Sequence, residues 1–348
     1  MPSLQKSTIR SIYKSLISVA LALGVTSILF LATGANPILA YYYIFYGAFG
    51  NLNAIVETLV RMTPILIVSL GLAIAFKCKV WNIGAEGQLY MGAMFGTIAA
   101  VSLGNTPFTL IISIFAGLFG GIVWAFIPAI MKTKLGINEV ITTFLMNYVA
   151  VYFVQWLLSY PFRSTDSLFP ESSKLPDAAI LPTLLQPTRL HLGILIAVFI
   201  VLPLVYLLMT KTTFGYKLKA VGENPEASKY GGINVSRTIL LALVLSGALA
   251  GLAGFMEVSA IQFRMRNSLS PGYGYTGIVV ALLGVNNPIG VAVSSLFIAA
   301  IFNGSSTMSR AMNQPQGIVD FMQGILIIFV LASEYIMRFL EKKGVVKI

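Results

Sequence analysis

Long apolar runs divided by short polar breaks fill this chain from Leu16 to Met337. The runs fall at Leu16–Gly34, Ala54–Phe76, Lys79–Leu103, Phe108–Met131, Ile137–Tyr160, His191–Thr210, Ile239–Ala260, Ile289–Phe302 and Ile318–Met337. Most hold close to the roughly 20 residues a helix needs to cross about 30 Å of hydrocarbon. A further run, Tyr273–Val285, is short, and reads either as a span helped by polar flanks or as a re-entrant half-helix. The pattern predicts an all-α, polytopic membrane protein of about ten transmembrane helices, some short or discontinuous, in one transmembrane domain over residues 1–348.

The longest polar interruption in the second half is Lys211–Arg237. It predicts a short helix at Pro225–Tyr230. Asn224 is a good N-cap, Pro225 suits the first position where its missing N–H costs nothing, and Glu226 complements the positive end of the dipole. Gly231 and Gly232 supply a left-handed residue to end it. At 1.5 Å per residue such a helix is only about 9 Å long, too short to cross or anchor anything, which makes it a docking element. A second long break, Pro161–Arg189, carries five prolines and mixed charge and offers a seat for an external partner.

Charge orients these elements. The chain carries +11 net charge with 57% hydrophobic and 10% charged residues. Its cations gather in short breaks: Lys6, Arg10 and Lys14; Lys77 and Lys79; Lys132 and Lys134; Lys211 to Arg237; and Arg338, Lys342 and Lys343. Cytoplasmic loops hold such residues, so both termini and the 211–237 loop are placed in the cytoplasm and the 161–189 loop outside. The positive charge therefore reflects membrane topology rather than nucleic-acid binding. Arg264 and Arg266 fall outside and count against the scheme. The loop Ala35–Asn53, with Tyr41, Tyr42, Tyr43 and Tyr46, reads as an external aromatic belt.

Chemistry narrows the function. No phosphate-binding loop, His-Glu-x-x-His zinc motif or serine elbow is present, so no catalytic residue is assigned, and ATP driving any transport must be hydrolysed on another chain. One cysteine, Cys78, and one histidine, His191, leave no disulfide and no His-rich metal site. Polar residues inside spans are costly and mark pathways or partners, which singles out Trp81, Asn82, Glu86, Gln88, Thr142, Asn147 and Glu257. Two readings of the 81–88 stretch stay open. In one it is an interrupted helix whose N-terminus and Asn82 point donors at a substrate, with Trp81 stacking on a flat ring. In the other Asn82 caps, Glu86 balances the dipole and Trp81 sits at the interface. Gly117 with Gly121, and Gly247, Gly251 and Gly254, form close-packing faces.

Two motifs, VWNIGAEGQLYMGA at Val80–Ala93 and TTFGYKLKAVGENPEASKYGGI at Thr212–Ile233, make the chain resemble permease subunits of bacterial ABC importers. The branch is that of ribose, other simple sugars, branched-chain amino acids and nucleosides. The NIGAEGQ form, with GINEVITTFLMNY at Gly136–Tyr148, is closest to the nucleoside-uptake subfamily. The resemblance implies a plasma-membrane importer whose coupling helix is Asn224–Tyr230. Gly215, Gly222 and Gly231 shape its approach to an ATPase, and Asn224, Pro225, Glu226 and Ala227 belong to the contact. It implies no cofactor on this chain, ATP and Mg on an ATP-binding subunit, a second related permease and an extracytoplasmic binding lipoprotein. Simple sugars or branched-chain amino acids remain as other solutes. An ion-coupled secondary transporter would need Glu57, Glu86 or Glu257 as its coupling acid.

Overall fold

Helices account for nearly all regular structure in the computed structural model, which describes residues 23–315 apart from 29 and 33, with isolated positions beyond. The N-terminal cations, the start of the first span, the body of Ile318–Met337 and the C-terminal cations lie outside the described residues. Contacts divide the chain into two units, Met1–Thr58 with Phe297–Ile348, and Leu59–Leu296.

In the first unit, α1 (Leu23–Ala32) and α2 (Pro37–Phe49) meet at a bend of 119°. The stretch expected as an external loop is therefore largely helical. Asn36 caps α2 by accepting from the Ile38 and Leu39 N–H groups, and Pro37 opens it. This is the cap arithmetic applied to Asn224, and it was legible at Asn36 as well. The unit also holds the start of α3 (Leu52–Lys77) and the second half of α12 (Pro288–Ala311). Asn303 Nδ2 reaches the Gly47 and Ala54 carbonyls at 3.0 Å and Thr58 Oγ1 at 3.1 Å, so a buried amide ties three segments together.

The second unit carries the rest of α3 with α4 (Ala85–Leu103), α5 (Thr109–Leu135), α6 (Glu139–Ser159), α7 (Gly193–Lys211), α8 (Thr213–Glu223), α9 (Pro225–Tyr230), α10 (Val235–Gln262) and α11 (Tyr273–Leu283). Among the described residues six helices are long and apolar enough to cross a membrane: α3, α5, α6, α7, α10 and α12. Helix α4 has 19 residues but opens on Glu86 and Gln88, which lower its hydropathy. Helix α11 has 11 residues, roughly 16 Å, and does not cross a 30 Å core by itself. The short run is thus a helix of 11 residues that follows the irregular Phe263–Gly272 stretch.

Three helices share a glycine-lined core. The two small-residue faces predicted separately face each other: a Cβ on Gly121 of α5 would strike the Gly247 carbonyl oxygen of α10, and one on Gly251 the Gly117 carbonyl. Gly92 of α4 closes on Gly251, and Gly254 on the Leu89 carbonyl. Such contacts are what hold membrane helices together, because lipid tails are as apolar as leucine and leave little hydrophobic drive for association.

Candidate functional site

The break before α4 gathers several buried polar side chains inside the bundle. Residues Val80–Gly84 are not helical, and their backbone groups need partners, since hydrocarbon supplies none. Side chains of α6 provide them. Thr143 Oγ1 accepts from the Ile83 N–H (3.1 Å), while Asn147 accepts from the Gly87 N–H and donates to the Ile83 carbonyl, both at 2.8 Å. Asn82 is fully buried and pairs reciprocally with Gln88, its Nδ2 donating to Gln88 Oε1 (2.8 Å) and its Oδ1 accepting from Gln88 Nε2 (3.0 Å). It also donates to Ser246 Oγ of α10 at 2.9 Å. Ser246 lies roughly 16 Å from the start of α10, a helix of roughly 42 Å, so this knot sits well inside the helix rather than at its end.

Glu86 joins the knot from α4. Its Oε2 accepts from the Gly274 N–H at 2.6 Å, capping the start of α11 with a carboxylate where the helix dipole favours one. Two interrupted helices therefore meet end to end in the middle of the unit. Of the remaining sequence-singled residues, Thr142 turns back on the Asn138 and Glu139 carbonyls of its own helix. Trp81 is 42% exposed and packs its ring 5.0 Å from that of Phe76. Glu257 is buried on α10, in the field of Arg61 and Arg189. The structure thus brings Asn82, Glu86, Gln88 and Asn147 together, while Thr142, Trp81 and Glu257 make none of the hydrogen bonds described for that cluster. Sequence reading missed Ser246 and Gly274; a serine midway along an otherwise apolar α10 was the available signal for the first.

The 211–237 stretch folds as two helices. Thr212 caps α8, whose Gly215 and Gly222 rest on the Met209 and Lys77 carbonyls so closely that neither position has room for a Cβ. Asn224 Oδ1 then accepts from the Ala227 N–H at 3.0 Å and starts α9. Pro225, Glu226, Ala227, Lys229 and Tyr230 are exposed, Tyr230 by 92%, and only Ser228 faces inward. A cavity of about 430 Å³ adjoins α9, lined by Glu226, Lys229 and residues 233–236 at the entry to α10. Gly232, not Gly231, takes the left-handed conformation, with φ of 78°.

The long proline-rich loop is anchored by charge. Glu171 accepts from Arg264 Nη1 (3.0 Å) and Arg266 Nε (2.8 Å), and the Ser172 and Leu175 N–H groups donate to the Met265 and Phe263 carbonyls. The two arginines that opposed the charge rule thus share a single carboxylate. Burial raises the Glu171 carboxyl, but hydrogen bonds from Ser167 and Arg266 and the arginine charges outweigh it and hold it below the usual range. A folded-state value below the unfolded one means stability that is present above the ordinary carboxylate range and lost as pH falls through the folded value. Limited proteolysis at the exposed Leu168–Phe169 tip is therefore expected to stay slow at neutral pH and accelerate in acid, and Glu171→Gln to make it fast at both. His191, buried at the loop's end, accepts from the Gly193 N–H (3.1 Å), and burial holds its imidazole down at about 4, so it stays neutral.

Residues 54–331 match the family described as branched-chain amino acid transport system / permease component. The chain belongs to that permease family. The permease is 35% identical over 334 residues to a glucose ABC transporter permease protein of Haloferax volcanii, covering 93% of this chain and 88% of the relative. It is 34% identical over 348 residues to a guanosine ABC transporter permease protein of Bacillus subtilis, covering 94% and 96%. A nucleoside ABC transporter permease protein of Lactococcus lactis is 33% identical, with 97% and 95% covered. No solved structure matches the chain. It is accordingly a multi-pass membrane subunit of an ABC transporter, with the ATPase on a separate subunit.

Proposed function

We propose that the permease imports nucleosides, with about ten membrane crossings over residues 1–348 and both termini in the cytoplasm. The observation that carries the solute class is end-to-end similarity to the guanosine and nucleoside permeases, with 94% and 97% of this chain covered. The Bacillus and Lactococcus relatives each have a second matching permease of like description in the same organism, at 24% and 27% identity. That supports a related second permease as partner, beside an ATP-binding subunit carrying ATP and Mg and an extracytoplasmic binding lipoprotein at the 161–189 loop.

In this reading α9, presented by Gly215, Gly222 and the Asn224 cap, docks on the ATP-binding subunit through Pro225, Glu226 and Ala227, with Gly231 ending it. Asn82, Glu86, Gln88 and Asn147 are positioning residues that hold two interrupted helices beside the solute path. The glucose permease relative favours a second reading, a simple sugar. Membrane vesicles holding the assembled transporter decide between them. ATP-dependent accumulation of guanosine that excess glucose does not compete supports the first, and glucose accumulation without nucleoside competition replaces it by the second.

A further inference from the structure

The exposed faces of the spans are not alike. Exposed positions on α5 (Ile111, Phe115, Phe119) and α7 (Phe199, Ile200, Leu204) are apolar, as a lipid-facing surface requires. Helix α6 differs. Tyr148 is 51% and Tyr152 67% exposed, and Gln155 is exposed on the same face. Tyr148 stands roughly 14 Å from the start of a helix about 30 Å long, so its hydroxyl is at the depth where hydrocarbon offers no hydrogen bond. Aromatic belts lie at the two interfaces and do not account for it.

A second element adds to this face. Tyr275, in the first turn of α11, is 39% exposed, and its hydroxyl lies 3.3 Å from Asn147 Nδ2 of α6. Phe144 meets Tyr148 edge to face at 5.4 Å, so the ring is held by its neighbour. The Asn147 side chain that secures the break before α4 therefore also orients Tyr275. Flat rings with polar edges, exposed at mid-depth beside two helix ends, suit a solute that is itself a flat ring with polar edges.

We propose that the α6 face around Tyr148 and Tyr152, with Tyr275 beside it, lines the solute path and stacks the base of the nucleoside. The inference rests on the nucleoside reading for its ligand, but not for its surface. Asn147, singled out from sequence on the same helix, ties α6 to the break before α4 and to Tyr275, while Thr142 bonds only carbonyls at the start of its own helix.

Cysteine scanning of the assembled transporter in vesicles tests it, because Cys78 is the one native cysteine and is buried. Tyr148→Cys and Tyr152→Cys are expected to react with a charged, membrane-impermeant methanethiosulfonate at least about tenfold faster than the lipid-facing control Phe115→Cys, since only a hydrated thiol ionises readily. Guanosine should slow both reactions. Tyr148→Phe should keep near-normal uptake and Tyr148→Ala lose roughly tenfold at low guanosine, as expected for a stacked base. Reaction no faster than at Phe115→Cys, whether lipid or a second permease covers the face, overturns the proposal even if guanosine is transported. Protection by glucose but not guanosine leaves a path there and overturns base stacking together with the nucleoside reading.

Discussion

Gly121→Leu is expected to remove nearly all folded permease from the membrane, measured as the monodisperse fraction of a fluorescently tagged protein in detergent. The Cβ it introduces would meet the Gly247 carbonyl, with the Gly251 backbone next to it. A flexible side chain in that place could swing aside, at a typical overpacking cost of about 1 to 3 kcal/mol. A carbonyl inside a helix has no such freedom, so α5 and α10 must separate along the contact that α4 also shares. A penalty above about 4 kcal/mol, near a thousandfold in the folding equilibrium, follows. Gly231→Ala is the control. Its Cβ would find Ser228 O at 3.4 Å, an ordinary contact, and its φ of −74° suits any residue, so folded yield should be unchanged.

The second large effect is on coupling. Glu226→Arg combined with Tyr230→Ala is expected to lower ATP-driven uptake about a hundredfold, the scale of losing a charged and an aromatic anchor from one interface. Folded yield, and solute affinity of the separate binding protein, should not change, because both side chains are exposed and neither holds the bundle. Uptake at the wild-type rate would remove α9 from the contact with the ATP-binding subunit. Gly222→Trp is the wrong probe, although the resemblance places Gly222 in the same motif. Its side chain would drive into the Lys77 carbonyl and unseat α8, so lost uptake there would report packing.

Local signals were legible where one residue decides a backbone state. Asn224 and Pro225 foretold α9 to the residue, and the same logic at Asn36 and Pro37 would have turned the expected loop at Ala35–Asn53 into α2. The polar load at 81–88 allowed an interrupted helix as one of two readings. Its partners were not announced. Asn147 and Gly87 are 60 residues apart, Glu86 and Gly274 are 188 apart, and hydrogen-bond complementarity at that separation has no period to read. Arg264 and Arg266 looked like exceptions to the charge rule for the same reason, since Glu171 lies over 90 residues away.

By itself the sequence determined the membrane class, the helical content, the missing nucleotide site and the capped helix in the 211–237 stretch, because hydropathy, composition and caps act within a few residues. Tertiary structure decided which faces meet. It paired Gly117 and Gly121 with Gly247 and Gly251, turned Asn147 inward and left Tyr148 exposed on the same helix. An α-helix presents every polar residue to some neighbour, and only the packing of the other helices settles whether that neighbour is backbone, lipid or solute.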